Sequence, residues 1–222
     1  MPKTAVIAGA TGLVGRELLQ LLLNGNAYEK VVALVRRPLE IQDDKLIEVV
    51  CDFNNLHAYE DLFSAEDIFC CLGTTIKKAK TQEAMYKIDV EYPVAMAKLA
   101  HKQGAQHFIL ISSMNANPNS KIFYSRMKGE LEQKIKKLDL PAFSIIHPAL
   151  LVGEREEFRL GEGAAITVYN LLSKMFSSSK LSSIGIKAHN VAMAMYKIAQ
   201  LDRNGVKTYS SQELYKLSMK NN

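Results

Sequence analysis

Short apolar runs rich in β-branched residues alternate along this chain with longer segments whose apolar positions recur at helical spacing. The runs predict strands over residues 4–8, 31–35, 46–51, 67–71, 108–112 and 143–146. Between the first two, Leu18, Leu19, Leu22 and Leu23 share one helical face, predicting a helix over 13–24 that stops at Gly25. A longer helical segment spans 82–103 and ends at Gly104, with Pro93 placed to kink it. A charged amphipathic helix follows over 122–138, and Pro141 and Pro148 bound the sixth strand. This alternation is the pattern of βαβ units and implies an α/β fold built on a parallel sheet.

Beyond the sixth strand the pattern loosens. Residues 148–187 carry Gly153, Gly161, Gly163 and the serine cluster Ser177, Ser178 and Ser179, before a helix over 190–201. The 222 residues fall within the range in which a doubly wound sheet folds as one domain. With 48% hydrophobic and 23% charged residues the composition is that of an ordinary globular chain. No apolar run approaches the roughly 18 residues of a membrane span, so no membrane insertion is expected. The apolar stretch after Met1-Pro2-Lys3-Thr4 is too short for a signal-peptide core, which leads to an expected cytoplasmic location. Cys70 and Cys71, adjacent in an apolar run, suit buried thiols better than a disulfide or metal site, and no metal is assigned. The net charge of +5 suits an anionic ligand. Solvated faces account equally well for Lys77, Lys78 and Lys80 and for Lys134, Lys136 and Lys137, and no nucleic acid is expected.

The chemistry begins where the first strand meets the first helix. Gly9-Ala10-Thr11-Gly12-Leu13-Val14-Gly15 is a turn that would set a pyrophosphate at the positive end of the helix. Gly9 permits the sharp exit from the strand, Gly12 leaves backbone N–H groups open to phosphate, and Gly15 allows close packing of helix on strand. Dinucleotide binding by Gly9, Thr11, Gly12, Leu13, Val14 and Gly15 follows. Strand two ends in Arg36-Arg37, where an NAD-type site carries an acidic residue for the ribose 2′-hydroxyl. A guanidinium matches a 2′-phosphate, so NADP(H) is preferred and NAD(H) is the alternative. Asp52-Phe53 is suited to the adenine, and Asp52 equally to capping a helix. Cys71-Leu72-Gly73-Thr74 leaves strand four toward the same crevice.

Tyr124 and Lys128 stand four residues apart on the predicted helix and so share a face, while Ser112-Ser113 ends strand five. A phenol with a pKa of about 10 is a poor acid at neutral pH, and a neighbouring ammonium stabilises its anion. The serine can bind a carbonyl oxygen, Tyr124 can donate the proton, and Lys128 can tune Tyr124 and hold the nicotinamide ribose. That combination describes a carbonyl reductase.

These stretches, together with Ala33-Leu34-Val35, Thr75, Ser125-Arg126-Met127, Gly129-Glu130 and His147-Pro148-Ala149, make the sequence similar to the short-chain dehydrogenase/reductase superfamily. The resemblance covers nearly the whole chain and is closest to the atypical branch, beside the oxidoreductases of Tat-interacting-protein type. It implies a Rossmann-type doubly wound parallel sheet of six to seven strands, helices on both faces and a small C-terminal substrate-binding portion. Residues 1–147 would form the cofactor core, 148–190 the substrate side, and 190–222 a returning helix, last strand and tail. It also implies a catalytic set carried onto Ser113, Tyr124 and Lys128, with Ser112 as the alternative serine. Two departures stand out. Ile88-Asp89-Val90 occupies the place of a superfamily Asn, which puts an Asn proton relay in doubt, and His147-Pro148 replaces an Arg-Pro pair. His147 faces either the cofactor or a structural hydrogen bond.

The sequence thus describes an NADPH-dependent reductase of a carbonyl or related small molecule. The competing expectation is a regulatory protein of little or no turnover, in which bound NADP(H) orders residues 154–180 to present a surface to a protein partner. Monomer and homodimer fit the sequence equally.

Overall fold

The computed structural model describes residues 3–152, 185–202 and 204–220. Its centre is a seven-stranded parallel sheet built from β1 (Lys3–Ala8), β2 (Tyr28–Val35), β3 (Leu46–Val50), β4 (Asp67–Cys70), β5 (His107–Ile111), β6 (Ala142–His147) and β9 (Gly205–Ser210). The order is β3-β2-β1-β4-β5-β6-β9, and every neighbouring pair is parallel. Two short strands, β7 (Leu150–Val152) and β8 (Gly185–Lys187), pair in parallel beside it. This is the Rossmann-type doubly wound arrangement expected above, with its order reversing between β1 and β4.

Both faces of the central strands β1, β2, β4, β5 and β6 are covered, which is why these read as apolar runs, whereas the edge strands β3 and β9 are partly exposed. In β1, Ala5 and Ile7 face α1 (Leu13–Asn24) and α6 (Ala188–Ala199), while Val6 and Ala8 face α4 (Tyr92–Lys102) and α5 (Phe123–Lys136). Helix α1 has the bounds its leucine stripe predicts. Gly25 closes it with its N–H donated to Leu21 O, in extended rather than left-handed backbone. A Cβ at Gly25 would lie 2.2 Å from the Tyr196 hydroxyl of α6 and 2.8 Å from Leu21 O, so a side chain there would have to displace the Tyr196 ring.

The long helical segment is subdivided into α3 (Gln82–Tyr86), a π turn (Lys87–Glu91) and α4. Pro93 sits in the first turn of α4, where it lacks an N–H to give and its ring would crowd the carbonyl of residue 89. The widened turn just before it absorbs this conflict without a break in the helix. Apolar periodicity did not anticipate the 3₁₀ segment Phe53–Phe63, the single turn α2 (Ile76–Ala79), or α7 (Ser211–Met219) with its Ser210–Glu213 capping box. Residues 154–180, the expected switch segment, lie outside the described residues.

Candidate functional site

The carboxyl ends of the strands open onto a cleft of about 1590 Å³. Its wall begins at the glycine turn. Gly9 adopts φ 84°, and a Cβ there would lie 2.5 Å from Cys71 O, while one at Gly15 would lie 2.1 Å from Gly9 O. Only hydrogen fits at either position, and the helix therefore starts hard against the strand. Gly12 N–H donates to Gly9 O at 2.9 Å, and the first turn of α1 has neither a side-chain cap nor an acidic residue. Its N–H groups and the positive helix end are thus presented to the cleft beside Thr11 and Leu13, a surface suited to a pyrophosphate.

Cys71 N–H donates to Ala8 O at 2.9 Å, so the stretch from Cys71 to Thr75 leaves β4 directly alongside that turn and lines the cleft. Burial pushes the thiol of Cys70 up to about 12 and that of Cys71 well upward, so both remain protonated and pack as small apolar groups. Arg36 and Arg37 project from the end of β2, exposed and next to β1, outside the lining of the cleft. Asp52 caps the 3₁₀ segment by accepting from the Asn54 N–H at 2.9 Å and from Asn54 Nδ2 at 2.7 Å. Phe53 is buried against Tyr92, with ring centroids 5.5 Å apart. Of the two accounts open for Asp52, the structure supplies the capping one.

Opposite the glycine turn stand Ser112, Ser113, Tyr124 and Lys128, all lining the same cleft. Lys128 lies one helical turn beyond Tyr124, and its Nζ is 6.0 Å from the centre of the phenol ring. The ammonium is buried and paired with Asp89 Oδ1 at 2.8 Å, while Asp89 Oδ2 accepts from the Thr74 N–H at 2.7 Å. The residue in the place of a superfamily Asn is therefore the counter-ion of Lys128, delivered by the π turn. The two serines differ sharply. Ser112 is buried and donates a short hydrogen bond to Glu132, whereas Ser113 is half-exposed and its Oγ accepts only a long 3.4 Å contact from the Asn115 N–H among the bonds described.

Glu132 follows Lys128 by one more turn of α5 and binds β5 and β6 together. It accepts from Ser112, lies 2.7 Å from His147 Nε2, and has Lys136 3.8 Å away. His147 is thereby committed to Glu132, and the lining of the cleft resumes at Pro148. Sequence reasoning passed over Glu132, although the spacing Tyr124, Lys128, Glu132 extends one helical stripe. Among the described residues no group of three or more His, Cys, Asp or Glu side chains is placed to hold a metal ion. No helix among them is long and apolar enough to cross a membrane.

The profile of the NAD(P)H-binding family matches residues 9–165, more than half of the chain and the whole of the glycine turn and the Ser-Tyr-Lys region. The chain belongs to that family. It is 35% identical over 180 residues to protein HTATIP2 of Rattus norvegicus, covering 79% of this chain and 74% of that protein. It is also 35% identical over 222 residues to the protein named FMP52, mitochondrial, of Kluyveromyces lactis, covering 96% and 98%. The fold is similar to that of UDP-glucose 4-epimerase from Thermotoga maritima, with TM-score 0.69, 16% identity, and 97% and 81% of the two chains covered. The family, the relatives and the fold together describe an atypical short-chain dehydrogenase/reductase resembling HTATIP2: an NAD(P)-binding, oxidoreductase-like protein.

Proposed function

We propose that the protein is an NADPH-dependent reductase of a carbonyl or related small molecule. The observation that carries this reading is that the glycine turn and the Ser113, Tyr124 and Lys128 side chains face one another across a single cleft. Gly9, Thr11, Gly12, Leu13, Val14 and Gly15 would hold the pyrophosphate, and Cys71, Leu72, Gly73 and Thr74 would flank the nicotinamide half. Arg36 and Arg37, exposed beside that turn, would hold the 2′-phosphate. When bound, the cofactor supplies hydride.

Ser113 is the donor to the substrate oxygen, because the Ser112 proton is engaged by Glu132. Tyr124 gives its hydroxyl proton to that oxygen as negative charge develops there. Lys128, held in place by Asp89, presents a positive charge beside the phenol and favours the phenolate left behind.

Titration of cofactor-free protein with NADPH and NADH at one moderate salt concentration tests the cofactor assignment. Tighter binding of NADPH is expected, with Arg36→Ala or Arg37→Ala weakening NADPH by about ten- to 150-fold, the worth of one charge-assisted hydrogen bond, and leaving NADH nearly unchanged. Equal affinities in the unaltered protein refute the 2′-phosphate assignment. A carbonyl screen followed by NADPH oxidation then tests the reaction. Tight cofactor binding without turnover, together with NADPH-dependent capture of a protein partner, would favour the regulatory reading.

A further inference from the structure

Ser113 lies just past the sheet. The ladder between β5 and β6 ends one residue earlier, where the Ser112 N–H donates to Ile146 O at 2.9 Å. From there the two chains part, one into Ser113, Met114 and Asn115 and the other into Pro148 and Ala149, and all of these line the cleft. The loop that Ser113 opens is fastened to α5 at both ends. At its far end the Asn117 N–H donates to Ser125 O at 2.9 Å. At its near end Glu132 Oε1 accepts from the Ser112 hydroxyl and lies 2.7 Å from His147 Nε2, while Oε2 is 3.8 Å from Lys136 Nζ. One side chain of α5 therefore ties down the residues that immediately precede Ser113 and Pro148.

Glu132 is buried. Stability alone is a weak reason to bury a carboxylate, because desolvation offsets much of what its pairings contribute. Fixing a geometry is a stronger one. Glu132 stands eight residues beyond Tyr124, about 12 Å along the helix, and does not line the cleft. It is out of reach of the substrate oxygen and can act only through the residues it holds.

We propose that Glu132 is a positioning residue for the reduction: through Ser112 it sets where the Ser113 hydroxyl stands relative to Tyr124, so that both donors meet one substrate oxygen. This rests on the reductase reading and extends it to a residue outside the cleft. Two donors that must converge on one atom tolerate little displacement, and a misplacement of about 1 Å can lower a rate by about 100-fold.

Glu132→Asp keeps the charge and withdraws it by one methylene, whereas Glu132→Gln keeps the length and an acceptor oxygen. Steady-state reduction of isatin and benzil, two activated dicarbonyls, followed by the loss of NADPH fluorescence, compares them in the full chain. Glu132→Asp should lower kcat by about tenfold or more, with the dissociation constant for NADPH within about twofold of the unaltered protein. Glu132→Gln should keep kcat within about threefold. In a Ser113→Ala background, Glu132→Asp should lower kcat by no more than about twofold, because the residue through which it acts is gone. An unchanged kcat in Glu132→Asp overturns the proposal. So does the same fractional fall in both backgrounds, which a general loosening of the fold would give, and so does a fall in Glu132→Gln as large as that in Glu132→Asp. Should Glu132→Asp fail to fold, Ser112→Ala removes the same link from the strand side and takes its place in the cycle with the same expectations. If the unaltered protein oxidises no NADPH with any carbonyl, the reductase reading fails and this assignment with it, whereas each of the other contrary results overturns the assignment alone.

Discussion

Lys128 carries a charge that is nearly excluded from water, and its counter-ion arrives from a different element. Removing one member of a buried ion pair costs about 3–5 kcal/mol, because the remaining charge stays buried without compensation. Asp89→Ala should therefore lower the unfolding free energy by about that much in urea denaturation, and Asp89→Ala/Lys128→Met should recover most of the loss while remaining inactive. Tyr124→Phe separates chemistry from binding at the same site. Turnover should fall by about 10²–10⁴-fold, the usual worth of a positioned acid, with the dissociation constant for NADPH nearly unchanged. The serines divide the same way: Ser113→Ala should reduce kcat with little change in thermal stability, and Ser112→Ala should reduce stability by releasing Glu132. Tyr124 and Lys128 were legible in the sequence because they are neighbours on one helix. Asp89 was noticed as a departure from a family pattern, but its partner was not, since 39 positions of chain separate it from Lys128.

Helix α5 carries the candidate acid, its lysine and Glu132, and its placement depends on Gly129. A Cβ at Gly129 would meet Pro118 N at 2.2 Å and the Asn117 carbonyl carbon at 2.4 Å, backbone atoms that cannot turn aside. The Asn117 N–H in turn donates to Ser125 O at 2.9 Å, fastening that loop to the helix. Gly129→Ala should force α5 outward. Overpacking of this kind costs about 1–3 kcal/mol, and each kcal/mol shifts Tm by about 2–4 °C in a chain of this size, so a drop of several degrees with loss of turnover is expected in a thermal melt and assay. The helix itself was readable from its charged and apolar spacing. The need for glycine at its centre was not, because the loop that approaches it is distant in structural role and carries no periodic signal. In the same way Pro93 marked a disturbance in the long helix, while the π turn that answers it was decided by the packing of Asp89 and Val90 into the interior.

At the amino ends of the strands, opposite the cleft, lies a buried polar cluster centred on Asp67. Its Oδ2 accepts from the Tyr28 hydroxyl at 2.7 Å, Lys3 Nζ lies 3.7 Å away, and His107 Nδ1 is 3.7 Å from Oδ1. Burial raises the Asp67 carboxyl to about 6, with Glu66 adding to the rise and Tyr28 and Lys3 opposing it, and burial likewise drives the Tyr28 hydroxyl well upward. A carboxyl raised in the folded state binds its proton more tightly there than in the unfolded chain. The stability it contributes is present below about pH 4 and is lost as pH rises toward about 6, on the order of 3 kcal/mol in all. Asp67→Asn should flatten the pH dependence of the unfolding free energy over that window, measured by urea denaturation. An unchanged slope would overturn the assignment of this pH dependence to Asp67.

The sequence by itself determined the parallel α/β arrangement, the glycine turn and the Tyr124–Lys128 pair, because each is written in local spacing: continuous apolar runs alternating with period-3.6 apolar patterns, a strand–turn–helix junction, and a four-residue helical repeat. The tertiary structure decided which serine keeps its proton available, which carboxylate neutralises Lys128, and that His147 serves Glu132 rather than the cleft. Those outcomes depend on side chains from β5, β6, α5 and the π turn converging at one end of the sheet. Spacing along the chain specifies the elements, and the desolvation of charges at their junctions selects the pairings between them.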